Sequence, residues 1–324
     1  YELLPEAVDI PILSDGEVPD PSVVSLLSLF SLEPEERDVV WVDDRFVTAF
    51  SHCNRAPIVS VIEILEKLVK DGALDEQAYY DKLIQLRAAN VRYIPLDAEE
   101  VLYHLRQALV RDGTLVETQE LRILRRYVAA CLAQAEGLQL PPMPEKAPNP
   151  QGELAFLSSV NAAVSDALVH LWEDDKETNT LWAYAEWMWL HLRASYPGLR
   201  SLGILPKRED TDDLFAALNI VDLVLSAIDF PPVSGEVENT PRRRYFEWLS
   251  WRVLDRRFEV DPDLARTAGN LLVQFLDGQA ATFDDDAQPA VYAWQHAFFA
   301  DLPEPLRSAV AQNGEYLAKL GAVV

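Results

Sequence analysis

Basic residues are scarce in this sequence: 28 Lys and Arg stand against 53 Asp and Glu, a formal charge of -25. Sequence-independent affinity for nucleic acid comes from neutralising phosphates with Lys and Arg. The charge speaks against a broad RNA- or DNA-binding surface on this chain and leaves a local basic strip, or upstream domains, to hold such a polymer. An acidic balance suits metal binding, solubility and docking to basic partners. Cysteine is nearly missing as well. Cys53 and Cys131 form no CxxC and no cluster with His, which speaks against zinc fingers and a disulfide framework and fits a reducing cytoplasm. No apolar run reaches the roughly 18 residues that span a bilayer. The longest candidate, Leu181 to Leu192, is broken by Glu186 and His191, and the start carries no signal-peptide pattern. His52, His104, His170, His191 and His296 form no HExxH, and there is no Walker loop, GxGxxG or GxSxG. Nucleotide-fuelled and acyl-transfer chemistry have no support.

What is present is apolar content sufficient for two cores, 49% hydrophobic residues over 324 positions. The clearest boundary is residues 137–152, where Pro141, Pro142, Pro144, Pro148 and Pro150 interrupt helical periodicity and predict a semi-rigid linker. Residues 1–136 read as an α/β domain. Asp97-Ala98-Glu99-Glu100 opens a helix with Val101, Leu102, Leu105 and Leu109 at helical spacing, and a further helix runs from about 118 to 135. Residues 153–324 read as almost wholly helical, with candidates near 153–173, 177–195, 211–228, 241–258, 261–276, 288–300 and 303–320. Thr211-Asp212-Asp213 and Asp261-Pro262-Asp263 are helix starts with acids facing the positive dipole end. No 34-residue period recurs, so an irregular α-helical domain is predicted rather than a repeat array.

Chemistry concentrates at Asp43-Asp44-Arg45-Phe46, which follows the apolar run Val39-Val40-Trp41-Val42. A short apolar run ending in paired carboxylates predicts a buried strand that delivers acids to the carboxyl edge of a sheet, where α/β proteins place their sites. Downstream come Ala56 to Leu65 with Ser60 at a strand-to-helix turn, then Lys70-Asp71-Gly72-Ala73-Leu74, a helix with Tyr79, Tyr80, Leu83 and Leu86, and a predicted strand Val91-Arg92-Tyr93-Ile94-Pro95-Leu96. Upstream lies Leu13-Ser14-Asp15-Gly16-Glu17.

This order resembles the carboxyl-terminal half of PIN-domain nucleases. It is most similar to the PIN module of bacterial conflict-system (antiphage defence) proteins that also carry tetratricopeptide repeats and a domain like the Gre-factor C-terminus. The resemblance spans roughly residues 13 to 110. It implies an incomplete Rossmann-like three-layer α/β domain, Mg²⁺ or Mn²⁺ as cofactor, and metal-activated water attacking a phosphodiester, as in a ribonuclease. Asp43 and Asp44 would be the catalytic metal ligands, with Glu17 a further ligand; the alternative for the pair is to cap a following helix, and for Glu17 an ordinary helix-start acid. Arg45 would contact a scissile phosphate or neutralise Asp43. Ser60 would bind phosphate or cap the helix that starts there. The family's first acid ends an opening strand that has no counterpart before Leu13, so the chain reads as a piece of a longer protein.

Only residues 242–257 interleave bases and aromatics: Arg242, Arg243, Arg244, Tyr245, Trp248, Trp251, Arg252, Arg256 and Arg257. Such a stretch tracks a single strand through Arg243 and Arg244, or else Phe246, Leu249, Val253 and both tryptophans face a core while the arginines pair with the surplus acids. Asp284-Asp285-Asp286 lacks the alternating ligands of a calcium loop and predicts an exposed helix start. Two functional expectations follow. One is a metal-dependent ribonuclease module that touches RNA through a local site; the other is a catalytically inactive PIN-like and helical module that docks other subunits or upstream domains.

Overall fold

The computed structural model describes residues 33, 35, 37–42, 52–91, 93–137, 153–192, 211–230 and 240–321, and these are predominantly helical. Spatial proximity divides the described residues into two units, one of residues up to Ile94 together with 153–156, the other of residues 95–137 and those from 157 onward. This grouping differs from the expected division at 136 and 153, because the segment after Ile94 sits with the helical unit. The proline-rich residues 138–152 lie outside the described residues.

The first unit carries a small sheet of three strands, β1 (Val40–Trp41), β2 (His52–Cys53) and β3 (Ala56–Val59), in the order β1-β3-β2. β1 runs parallel to β3, with Val40 opposite Ile58 and Trp41 opposite Val59, while β2 is antiparallel to β3. Asn54, at φ 53°, takes the left-handed conformation in the β2–β3 turn, which Asn tolerates better than most residues. Two helices follow, α1 (Val61–Lys70) and α2 (Glu76–Ala88). Gly72, at φ 71°, ends α1 as its N–H and that of Ala73 return to the Val69 and Leu68 carbonyls. Asp75 caps α2 by accepting from the Ala78 N–H at 2.7 Å. Cys53, Ala56, Ile58, Ile62, Leu83 and Ile94 are buried.

The expected strand at residues 91–96 is not formed among its described residues. Asn90 and Tyr93 both adopt positive φ (67° and 57°), which breaks the extended backbone a strand needs, and Pro95 has no N–H to donate. Ile94 and Leu96 are nevertheless buried, which accounts for the apolar pattern.

The second unit opens with α3 (Ala98–Gln107), capped by Asp97, whose carboxylate accepts from the Glu100 N–H at 2.7 Å. A hairpin follows, β4 (Leu109–Arg111) and β5 (Thr114–Val116), which the helical reading of Leu109 did not anticipate. Its loop is Asp112-Gly113 with both residues at positive φ (51° and 71°), as a two-residue primed turn requires. Next come α4 (Gln119–Gly137), α5 (Glu153–Leu171), α6 (Thr178–His191) and α7 (Thr211–Ser226). The predicted helix over 241–258 is three pieces: α8 (Pro241–Trp248), a π-helical turn (Leu249–Leu254) and α9 (Asp255–Val260). α10 (Pro262–Ala280) and α11 (Gln288–Asp301) lie close to their predicted spans, and Asp261 caps α10 through the Asp263 and Leu264 N–H groups. The predicted last helix splits into α12 (Glu304–Val310) and α13 (Gly314–Gly321), where the Asn313 side chain accepts from the Tyr316 N–H. Asp284, Asp285 and Asp286 are exposed just before α11, as expected.

α10 is the axial element of this unit, packed against α7 and α12. The α10–α12 crossing is closed by Gly269: a Cβ placed there would stand 2.7 Å from the Ala309 Cβ, with α12 backbone atoms at 3.3 Å. Ala normally favours a helix interior over Gly by about 1 kcal/mol. Here the clash reverses the sign, and Gly269→Ala is expected to destabilise by about 1–3 kcal/mol. Denaturant unfolding checks this; an unchanged or raised midpoint would show that the crossing is looser than described.

Candidate functional site

β1 and β3 end side by side. The Val42 N–H donates to the Val59 carbonyl at 2.9 Å, the bond that closes the Trp41–Val59 pair at the carboxyl edge. In sequence the next residues after Val42 are Asp43, Asp44 and Arg45; these, and Glu17, lie outside the described residues. Val59 leads directly into Ser60, the N-cap of α1. Its hydroxyl accepts from the Ile62 N–H at 3.2 Å and donates to Glu63, and the Glu63 carboxylate accepts from the Ser60 N–H at 2.7 Å. This is a complete capping box. Ser60 is 1% exposed, so of its two expected roles the structure displays the capping one. Among the described residues no three of His, Cys, Asp or Glu are grouped to hold a metal ion. Carboxylates at 43, 44 and 17 are the hard oxygen donors that Mg²⁺ or Mn²⁺ requires, so the chemistry of the proposed set fits that ion.

The arginines of residues 242–257 have separate fates. Arg242 is buried; it donates to the Phe230 carbonyl at 3.1 Å and pairs with Asp301 at 3.4 Å. Arg244 donates to the carbonyls of Trp172 and, at 3.2 Å, Asp174, just past the end of α5. These are orphan carbonyls of a helix terminus, where a cation is also favoured by the dipole. Arg244, expected as a nucleic-acid contact, is thus engaged inside the unit. Arg243 is exposed, and its one ion pair, with Glu247, is 3.6 Å long. Arg252 lies over the Trp182 ring at 5.3 Å. Phe246, Trp248, Leu249 and Val253 are buried as expected for a core-facing segment. Trp251 is not: it is 71% exposed, which corrects the expectation that both tryptophans face a core. The physical cause is the π-helical turn, whose wider winding shifts the helix face within one turn.

Trp251 and Arg243 line one wall of a cleft of about 410 Å³. That wall, from α8 and the π-turn, also carries Glu247 and Ser250; the opposite wall carries Asp301 and Arg307 from the α11–α12 corner. Phe246, Leu302 and Pro303 are buried residues lining it. The Arg307 guanidinium pairs with Glu304 and donates to the Ala300 carbonyl at 3.1 Å. Sequence reading reached Arg243 but not Arg307 or Ser250, which lack any motif and enter the cleft only through tertiary packing.

The other polar cluster centres on Glu117. It accepts from Arg125 at 2.7 and 3.1 Å and from the Trp187 indole N–H at 3.1 Å, so it ties the β5–α4 junction to α6. The Arg125 hydrogen bond holds the Glu117 carboxyl below its ordinary 4.5, outweighing partial burial, with Trp187 and the charge of Arg125 adding. Nearby His191 is pushed below its ordinary 6.5 by burial and by Arg125. Arg125 and the Trp187 indole both donate to Glu117, and the cluster has the character of a fold tie.

No family model matches the chain, and no curated protein or solved structure matches it either.

A depressed carboxylate pKa stabilises the fold above its unfolded value and loses that contribution as pH falls through the folded one. Stability is therefore expected to decline as pH drops below 4.5. Glu117→Gln should cost about 1–3 kcal/mol at neutral pH, by leaving Arg125 without its carboxylate, and should flatten that acid limb. Unfolding followed from pH 7 to pH 3 checks both; a variant with the parent's acid slope would remove Glu117 as its source.

Proposed function

We propose that the first unit is the core of a PIN-like, divalent-metal-dependent ribonuclease module of a bacterial conflict system. The observation that carries the reading is the Val42–Val59 bond: a parallel strand pair whose two carboxyl ends lie together, one followed in sequence by Asp43-Asp44 and the other by the N-terminus of α1. That is the strand-edge arrangement at which α/β proteins gather ligands. Asp43 and Asp44, helped by Glu17, are the residues that would hold Mg²⁺ or Mn²⁺. A bound ion of this kind lowers the pKa of water and offsets charge on a phosphodiester. With water as nucleophile, no side chain in the unit need become covalently modified. Arg45 follows the acid pair and is suited to a scissile phosphate.

A protein-interaction role for the helical unit has its own support. Leu109 and Val116, cross-strand partners in the β4–β5 hairpin, are 62% and 44% exposed, and Leu190 on the adjoining α6 is 64% exposed. Exposed aliphatic residues on adjoining elements suit another subunit or an upstream domain.

Cleavage of a labelled single-stranded RNA by the protein, with Mn²⁺ or Mg²⁺, separates the readings. Metal-dependent cleavage that falls by at least about a hundredfold in both Asp43→Asn and Asp44→Asn is expected, the scale of removing a group that acts only in the transition state. A well-folded parent inert with either metal would favour the interaction role.

A further inference from the structure

We propose that the cleft between α8 and the α11–α12 corner, continued along the exposed side of α9, binds single-stranded nucleic acid. The site is independent of the strand-edge chemistry: it lies within the helical unit and needs no metal.

Three observations converge. Trp251 places an indole 71% exposed at the cleft wall, on a π-helical turn, a distortion frequent at functional sites. An exposed tryptophan offers a face on which any base stacks, whatever its identity. Second, Arg243 and Arg307 line the same cleft from its two walls. Arg243 is held only by the 3.6 Å contact to Glu247, longer than a hydrogen bond, so its guanidinium donors remain for a phosphate. Third, Arg256 and Arg257 follow on α9, exposed and without an ion-pair partner among the described residues. One segment thus supplies stacking and phosphate contacts in succession, which a strand of several nucleotides uses and a free nucleotide does not.

The cleft carboxylates fit the same ligand. Asp301 is already paired with Arg242, and Glu247 and Asp301 can accept from exocyclic base amines. The overall charge of -25 opposes long-range attraction, so affinity must come from contacts in the cleft and fall steeply with salt.

The test is fluorescence anisotropy of labelled oligo-U and oligo-C of about ten nucleotides, a length within the site sizes of single-strand binders. It is run in EDTA on the Asp43→Asn chain, so that neither cleavage nor its failure enters the reading. Salt-sensitive binding is expected, weakened about tenfold by Trp251→Ala, largely restored by Trp251→Phe, and weakened again by Arg243→Gln. Leu68→Ala, at an exposed position of α1 in the first unit, should leave binding unchanged. Circular dichroism of each variant fixes that it is folded. Absence of binding by the folded parent, binding indifferent to Trp251 and Arg243, or a mononucleotide binding as tightly as the oligomer would each overturn the proposal.

Discussion

The helical unit depends on how α8 is fastened. Within four consecutive residues Arg242 reaches the Phe230 carbonyl, Arg244 the carbonyls of Trp172 and Asp174, and Tyr245 the Leu223 carbonyl at 2.7 Å. Those acceptors belong to the last turn of α7 and the segments just beyond α5 and α7, places where backbone carbonyls have no helical partner. A buried carbonyl left without a donor costs about 1–3 kcal/mol. Donors from one short helix therefore close several helix ends at once, and they set the register in which Tyr245 and Trp248 pack edge-on and tilted against Trp172.

That fastening also decides what is left outside. Arg242 and Arg244 turn inward, so Arg243 between them must turn outward, toward the cleft. The π-helical turn then changes the winding between Trp248, fully buried, and Trp251, largely exposed. A straight α-helix would have followed a single inward stripe. The candidate ligand surface is thus a by-product of the geometry that builds the core: the same winding that buries Trp248 leaves Trp251 beside Arg243 at the cleft.

Much of the helical architecture is legible in the sequence because 3.6-residue apolar spacing and cap residues such as Asp97 and Asp261 act locally. The failures share a physical origin in non-local or backbone-specific effects. Leu109 extended a helical pattern, yet the primed turn at Asp112-Gly113 favours a hairpin, a signal available in the dipeptide itself. Residues 91–96 alternate like a strand, yet positive φ at Asn90 and Tyr93 interrupts the extended backbone, and no strand forms among the described residues. Arg243 and Arg244 are neighbours of one type, and only the end of α5 distinguishes them. Of the strand-edge site, the sequence shows the acids and the structure shows the parallel register of the strands beside them; Asp43, Asp44, Arg45 and Glu17 lie outside the described residues.

The central claim is that one basic run is divided between fold and surface, and paired denaturant unfolding of Arg244→Gln and Arg243→Gln tests it most directly. The account predicts a loss of about 1–3 kcal/mol for Arg244→Gln, from carbonyls stripped of their donor, and a change within about 0.5 kcal/mol for the exposed Arg243→Gln. Equal losses, or a larger one at Arg243, would contradict it.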